Sequence, residues 1–193
     1  MLKLIKNAQL FTPKFLGEND VLIAGAKIIA IGDNLDQFSN DAEVWNAQGK
    51  MVTPGFIDQH IHISGAGGKD GFSSRTPDVD LKQLISCGST TVMGLLGTDG
   101  TTRSLKSLFS KVKALNQQGV SAYMLCGYYG VESPTLTNDI QSDMIFIDPV
   151  LGCKIAISDI RSSYPTALEL LRKLRDVRVA GSLANKKGIL HVH

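Results

Sequence analysis

The sequence predicts an α/β fold: the first five strands of a (β/α)₈ TIM-like barrel, preceded by a small N-terminal β-sandwich unit. Residues 1–51 contain only strand patterns, whereas residues 52–193 alternate strands with helices. This alternation implies right-handed βαβ units around a parallel sheet, and a closed barrel needs eight strands where five are visible. An open doubly wound sheet is the alternative, although no G-x-G-x-x-G pattern follows any strand.

The composition argues against several classes of function. The chain has 193 residues, of which 43% are hydrophobic and 20% charged, and its formal net charge is +2. This balance indicates neither a nucleic-acid partner nor a membrane surface, and the apolar runs are too short to span a bilayer. The N-terminus does not resemble a signal peptide. The three cysteines lie far apart in apolar segments, which is typical of reduced thiols, so we expect a cytoplasmic protein.

The first unit, residues 1–51, is predicted to consist of short strands. Residues 2–5 begin one strand, and residues 43–45 begin another. Residues 21–24 and 27–31 flank Gly25-Ala26 and are predicted to form a hairpin.

The second unit, residues 52–193, is predicted to alternate strands and helices. After the first strand, Thr76 is predicted as a helix N-cap, with Pro77 as the first helical residue. A third helix should start at Pro165. Further strands are predicted at residues 89–93, 120–126, 151–157 and 188–193. The apolar faces predicted for the second and third helices are Leu105, Leu108, Phe109, Val112 and Leu115, and Leu168, Leu171 and Leu174.

Two details of the helical regions complete this prediction. Glu169 and Lys173 have the spacing of a helical i,i+4 ion pair. Residues 134–150 show only a weak apolar cluster and no clear element.

The segment from Val52 to Ser64 carries the clearest functional signal. A turn at Pro54-Gly55 leads into a strand on which Asp58, His60 and His62 are predicted to share one face, opposite Ile57, Ile61 and Ile63. Two imidazoles beside a glycine-rich loop can bind one cation, because imidazole is the commonest nitrogen ligand of zinc. Two core histidines are the alternative.

Polar residues also lie at or near the carboxyl ends of the other predicted barrel strands, where barrels place their chemistry. They are Thr98, Tyr129, Lys154, Asp159, Arg161 and His193. A desolvated lysine amine can react with carbon dioxide to give a carbamate, an anionic ligand that can bridge two cations. Each of these residues also has a structural alternative. Lys154 could pair with a carboxylate such as Asp58. Asp58 could instead make a structural hydrogen bond, and His193 could be a core histidine.

The motif Val52-Thr-Pro-Gly-Phe-Ile-Asp-Gln-His-Ile-His62 resembles the opening of the amidohydrolase superfamily. Further segments resemble the isoaspartyl dipeptidase family within it, so that the resemblance covers essentially the whole chain. These segments are Ser74-Arg-Thr-Pro77, Gly94-Leu-Leu-Gly-Thr-Asp99, Ala114-Leu-Asn116 and Gly152-Cys-Lys-Ile-Ala-Ile-Ser-Asp-Ile-Arg-Ser162.

The resemblance implies zinc-dependent hydrolysis of β-aspartyl (isoaspartyl) dipeptides, small-molecule substrates, at a centre of two zinc ions. It implies that His60 and His62 hold one zinc and His193 the other, with carboxylated Lys154 as the bridge. It also implies a homo-oligomer when the protein is full length. Tyr129 would polarise the scissile carbonyl, Gly67 and Thr98 would contact the aspartyl part, and Arg161 would bind a substrate carboxylate.

The chain departs from the family in two ways. Where the family has a glutamate facing the substrate α-amino group, this chain has Lys69, although Asp70 could take over. The family's remaining zinc histidine, a second substrate arginine and the catalytic aspartate have no counterpart among the 193 residues. We therefore expect the 193-residue chain to be inactive on its own.

Two alternative functions stay open. A cyclic-amide hydrolase related to dihydroorotase or hydantoinase would share the two histidines and the bridging lysine, but the loops of Thr98 and Arg161 fit it poorly. A non-catalytic protein that keeps the fold is the other possibility.

Overall fold

The chain forms two compact units, Met1–Gly55 and Phe56–His193, in a computed structural model that describes all 193 residues. The first unit is a single five-stranded sheet in the order β3-β2-β1-β4, with β5 also paired to β1. Its strands are β1 (Leu2–Phe11), β2 (Phe15–Ala24), β3 (Lys27–Gly32), β4 (Ala42–Asn46) and β5 (Met51–Val52). The predicted hairpin is confirmed, because Ala24 pairs with Lys27 in antiparallel register.

The second unit is built on a parallel sheet of five strands in the order β10-β9-β8-β7-β6. Each strand therefore lies beside its neighbour in sequence, as in a curled half-barrel, and the predicted α/β half-barrel after a small N-terminal β unit is confirmed, with that unit a single sheet instead of a sandwich. The strands are β6 (Phe56–Ile61), β7 (Ser89–Gly94), β8 (Ser121–Gly127), β9 (Val150–Ile155) and β10 (Ile189–Val192).

Four helices connect these strands: α1 (Leu81–Ser86), α2 (Leu105–Gln117), α3 (Ile140–Phe146) and α4 (Ala167–Leu183). They pack on one face of the sheet around buried side chains that include Val92, Leu108, Val112, Met124 and Val177. The apolar face predicted for α2 is confirmed, since Leu105, Leu108, Val112 and Leu115 are buried and Phe109 packs against them. No helix here combines the length and apolar character that crossing a membrane requires.

The start predicted for α1 is wrong. Asp80, not Thr76, is the N-cap, and it forms a capping box with Gln83. Thr76 is occupied elsewhere: its hydroxyl accepts the backbone N–H of Ala66 at 2.8 Å, and its own N–H donates to Ala66 O at 2.8 Å. A residue that looked like a cap therefore holds the glycine-rich loop.

The orientation predicted for α4 is also wrong. Leu168, Leu171 and Leu174 are 56%, 61% and 48% exposed, whereas Lys173 and Val177 are among the buried residues of this helix. The predicted ion pair of Lys173 with Glu169 does not form, because Lys173 Nζ donates to Ser133 Oγ. Glu169 instead accepts the N–H of Thr166, the N-cap of α4.

Candidate functional site

The histidines of β6 lie where this strand departs from regular alternation. The pairing of β6 with β7 shifts register between Asp58 and Ile61, and Asp58 Oδ1 accepts the backbone N–H of His60 at 3.0 Å. Ile57 lines the same concave surface as His191, the residue that His60 contacts. The prediction that Ile57 lies opposite His60 is therefore wrong, whereas Ile61 and Ile63 pack with the helix-covered core. Asp58 makes the structural hydrogen bond that was one of its alternatives.

His60 is the centre of a cluster of imidazoles. Its ring centroid lies 5.4 Å from that of His62, 4.8 Å from that of His191 and 5.6 Å from that of His193. Its Nδ1 lies 3.0 Å from His191 Nε2, and its Nε2 lies 3.5 Å from Lys154 Nζ. The structure therefore brings together the four predicted metal-binding residues.

The environment favours the neutral form of His60 and His62. Burial, followed by the charge of Lys154, lowers the pKa of His60 to about 4, and burial also lowers the pKa of His62. His62 Nδ1 lies 2.9 Å from Leu95 O, which can only accept, so Nδ1 carries the proton. The Nε2 lone pair of His62 is then available to a ligand.

Lys154 is the largest fully buried side chain of the molecule, with 0% exposure, and no carboxylate pairs with it. Its Nζ donates to Leu96 O at 3.0 Å. Burial lowers the pKa of Lys154 to about 8, because the ammonium form is poorly solvated there. The predicted alternative of an ion pair with Asp58 is not observed, and a larger fraction of the amine is neutral near pH 7 than for an ordinary lysine.

Tyr129 and Arg161 form the other side of the site with His193. Tyr129 Oη lies 3.0 Å from His193 Nε2, and burial raises the pKa of Tyr129, so its hydroxyl stays protonated at neutral pH. The guanidinium of Arg161 lies 5.4 Å from the centroid of the Tyr129 ring. Arg161 also holds Asp159 through two hydrogen bonds of 2.8 and 2.6 Å. This bidentate pair lowers the pKa of Asp159.

A cavity of about 180 Å³ opens beside this cluster. Its wall includes the predicted residues Gly67, Thr98, Tyr129, Arg161 and His62. Lys69 also lines the cavity, but Asp70 does not, and the backbone N–H of Asp70 donates to Ser74 Oγ at 3.2 Å. Asp70 is thus the one predicted binding residue that the structure does not bring to the cavity wall.

The sequence interpretation missed two residues of the site, His191 and Arg103. The alternation of β10 could have identified His191, because it precedes His193 by two residues just as His60 precedes His62. No sequence signal identified Arg103, which lines the cavity by reaching back from the start of α2.

The donors suit a metal centre in type but not in a closed arrangement. No three side chains among His, Cys, Asp and Glu lie in positions that could hold one ion. The predicted centre instead relies on a lysine carbamate to complete each ligand set. Neutral imidazoles beside a buried lysine that has no counter-ion fit that donor set.

Comparisons with known proteins agree with the fold. No family model matches the chain. The crystal structure of a beta-aspartyl dipeptidase from Fervidobacterium islandicum AW-1, in complex with beta-Asp-Leu dipeptide, is similar with a TM-score of 0.94 and 43% identity. The match covers 100% of this chain and 51% of that one. An L-hydantoinase from Arthrobacter aurescens, with a TM-score of 0.64 and 20% identity, shares the fold.

The curated proteins that this chain resembles include dihydroorotases and a hydantoinase. A dihydroorotase from Lactobacillus leichmannii is 32% identical over 149 residues, which are 73% of this chain and 31% of the relative. A D-hydantoinase from Geobacillus stearothermophilus is 45% identical over 80 residues, 39% of this chain and 17% of the relative. The chain thus spans about half of the similar dipeptidase and less than a third of these relatives. These matches confirm the resemblance inferred from the sequence.

Proposed function

From the resemblance of this chain to the N-terminal half of a beta-aspartyl dipeptidase of the amidohydrolase superfamily, we propose that it forms half of a zinc-dependent dipeptidase for β-aspartyl dipeptides. One observation carries the proposal: Lys154 is fully buried without a counter-ion and lies 3.5 Å from an imidazole nitrogen of His60. A lysine in such a place is costly unless it is neutralised or modified. The cytoplasmic location and the homo-oligomer stay predictions.

The chain's own side chains suggest how two zinc ions would be held. The neutral amine of Lys154 can attack the carbon of carbon dioxide, which forms a C–N bond and releases a proton to water. The resulting carbamate of Lys154 would hold the two ions together with the imidazoles of His60, His62 and His193. When bound, the metal would make water nucleophilic near neutral pH.

The remaining residues would bind and polarise the substrate. The protonated hydroxyl of Tyr129 can donate to the carbonyl oxygen of the scissile bond as negative charge develops there. The planar guanidinium of Arg161, already oriented by Asp159, can bind a substrate carboxylate in a bidentate manner. Gly67 and Thr98 would contact the aspartyl part from the cavity wall.

Replacement of Lys154 tests this proposal. The chain is fused to the half of the F. islandicum enzyme that it does not match, which gives the completed protein. Its turnover of β-Asp-Leu and its zinc content are then measured. We expect Lys154→Ala to lower turnover by about 100-fold or more and to lower bound zinc, because metal ligands are seldom dispensable. The 193-residue chain alone should be inactive.

The control is Lys113→Ala, which removes an exposed lysine on α2. Added short carboxylic acids should partly restore Lys154→Ala by supplying the missing oxygens. Full turnover by Lys154→Ala without such acids would contradict the proposal.

A cyclic-amide hydrolase is the second candidate, favoured by the 45% identity with a D-hydantoinase. Both candidates use the same metal centre, so the Lys154 variant does not separate them. The two candidates are separated by measuring the turnover of dihydroorotate, hydantoin and β-Asp-Leu in the same protein. Preference for either cyclic amide would replace the dipeptidase assignment.

A further inference from the structure

Arg103 bridges two segments of chain that form the cavity wall. It precedes Ser104, the N-cap of α2, and its guanidinium reaches back to the glycine-rich loop. Its Nη1 donates to Ser64 O at 2.6 Å, and its Nη2 donates to Thr76 O at 3.0 Å and to Ala66 O at 3.3 Å. Three carbonyls from both sides of the loop therefore share one side chain.

No carboxylate pairs with Arg103, although Asp99 lies on the same cavity wall. Asp99 is held by Arg75, at 3.5 Å, and by the backbone N–H of Thr102, at 2.8 Å. The donors of Arg103 are directed to backbone carbonyls, which matches the fixed planar fork of a guanidinium. A lysine in its place could not reach the three acceptors in the same geometry.

The loop beneath Arg103 is closely packed. Gly65 has a φ of +81°, and a Cβ there would lie 2.5 Å from Thr76 O and 2.7 Å from Arg103 Nη1. Gly67 has a φ of +80°, and a Cβ there would lie 2.5 Å from Ser74 O. Only glycine permits this approach, and glycine also leaves the free loop highly flexible. The loop therefore needs an external contact to hold one conformation.

We propose that Arg103 is a positioning residue that fixes the glycine-rich loop, residues 64–68, against residues 74–76. In this way it sets the position of Gly67 and Lys69 in the substrate cavity beside His62. Arg103 acts through the loop and not on the reacting atoms. Its role in substrate binding rests on the proposed function, whereas its role in ordering the loop does not.

Hydrogen exchange of the 193-residue chain tests the ordering of the loop. We expect the amide hydrogens of Ala66 and Thr76 to exchange at least about tenfold faster in Arg103→Met, because the charge-assisted hydrogen bonds from Arg103 to the loop are lost. The amides of α2 should keep their rates. Arg103→Lys should show an intermediate effect, and methylguanidine should restore protection in Arg103→Met. The control is Arg178→Met, which removes an exposed arginine from α4.

Unchanged exchange at Ala66 and Thr76 in Arg103→Met would overturn the proposal. If that variant does not fold, Arg103→Lys serves for the same measurement. In that case, unchanged exchange of the two amides in Arg103→Lys overturns the proposal.

Kinetics of the protein completed with the F. islandicum half test the consequence for binding. We expect Arg103→Met to raise KM for β-Asp-Leu about tenfold or more while kcat changes less than about threefold. Methylguanidine should lower KM again. A fall in kcat with KM unchanged would contradict positioning. If the unsubstituted protein does not cleave β-Asp-Leu, the proposed function fails, and the exchange result on the loop still stands.

Discussion

Lys69 places a positive charge on the cavity wall, and no carboxylate neutralises it. The other charged groups of the wall are engaged: Arg161 holds Asp159, Arg103 holds carbonyls, and Asp99 holds Arg75. A substrate ammonium group near Lys69 would be repelled, whereas an anionic or uncharged group would be accepted. We therefore expect the residue at position 69 to influence which acyl part the proposed site prefers.

Reversal of this charge should change the preference. In the completed protein, we expect Lys69→Glu to shift the ratio of kcat/KM for β-Asp-Leu over succinyl-leucine by about tenfold in favour of β-Asp-Leu. The two substrates differ only in the α-amino group of the aspartyl part, so the ratio isolates that contact. The control Lys187→Glu changes an exposed lysine near β10. An unchanged ratio in Lys69→Glu would show that residue 69 does not face the amino group.

For single residues, the spacing of motifs predicted which side chains on strands meet in the site, but it was less successful for residues in loops. His60, His62, Lys154 and His193 meet as expected because β6, β9 and β10 carry them to one end of the sheet. The proposed replacement by Asp70 depended on a loop whose course the sequence does not reveal. The three carbonyl contacts of Arg103 depend on backbone positions that no residue pattern encodes.

The start of α4 depends on a reciprocal cap between Thr166 and Glu169. The Thr166 N–H and hydroxyl both donate to Glu169 Oε2, at 2.7 Å each, and the Glu169 N–H donates back to Thr166 Oγ1 at 3.3 Å. The Thr166 backbone N–H, then its hydroxyl, lower the pKa of Glu169. A carboxylate with a lowered pKa stabilises the fold above its unfolded pKa, about 4.3, and this stabilisation is lost as the pH falls.

We expect Thr166→Ala to lower the free energy of unfolding by about 1 kcal/mol at pH 7, the usual value of an N-cap hydroxyl. The difference from the unsubstituted chain should shrink as the pH falls below about 4, because protonated Glu169 no longer supports the cap. Urea unfolding at several pH values measures both effects. Ser110→Ala, which removes a hydroxyl from the interior of α2, is the control. A difference that grows on acidification would contradict this account.

The elements themselves show where periodicity succeeds and fails. The apolar face predicted for α2 is correct because the residues of this face, from Leu105 to Leu115, all pack towards the sheet. The same reasoning predicts a buried face of Leu168, Leu171 and Leu174 on α4, yet the buried residues of this helix are Lys173, Val177, Ala180 and Gly181. Helix α3 has only seven residues, and its cap at Asp139 was not recognised. It is too short for a reliable period.

The sheet of the second unit leaves its concave face open. A cavity of about 300 Å³ on this face is lined mainly by apolar side chains, among them Ile57, Met93, Leu125 and Ile189. Exposed apolar surface of this kind binds hydrophobic dyes. The 193-residue chain should therefore differ in this property from a protein in which the face is covered.

We expect the 193-residue chain to enhance the fluorescence of anilinonaphthalene sulfonate, and Ile57→Ser with Ile189→Ser to lower the enhancement at least about twofold. The control is Ile160→Ser, because Ile160 is 89% exposed but lies outside this cavity. Joining the chain to the unmatched half of the F. islandicum enzyme should also lower the dye fluorescence, because the concave face is then covered. Equal fluorescence in all these proteins would show that the dye binds elsewhere.

For the whole molecule, the order of elements restricted the fold class to few topologies, because strands that alternate with helices form right-handed connections around a parallel sheet. The choice of the barrel over an open doubly wound sheet needed a second observation, the absence of a G-x-G-x-x-G pattern after any strand. The shift of register on β6 could not be predicted, because a local bulge depends on the pairing with β7 and not on the pattern of β6 itself.

The packing of the glycine-rich loop also limits how this cavity can change over evolutionary time. Side chains are excluded at residues 65 and 67 by backbone atoms, and Gly68 has a φ of +90° that L-residues rarely adopt. Of residues 65–69, only Ala66 and Lys69 are not glycines with a positive φ. New substrate preferences therefore have a narrow mutational route, and a library restricted to these two positions would sample nearly all of the variation that the loop tolerates.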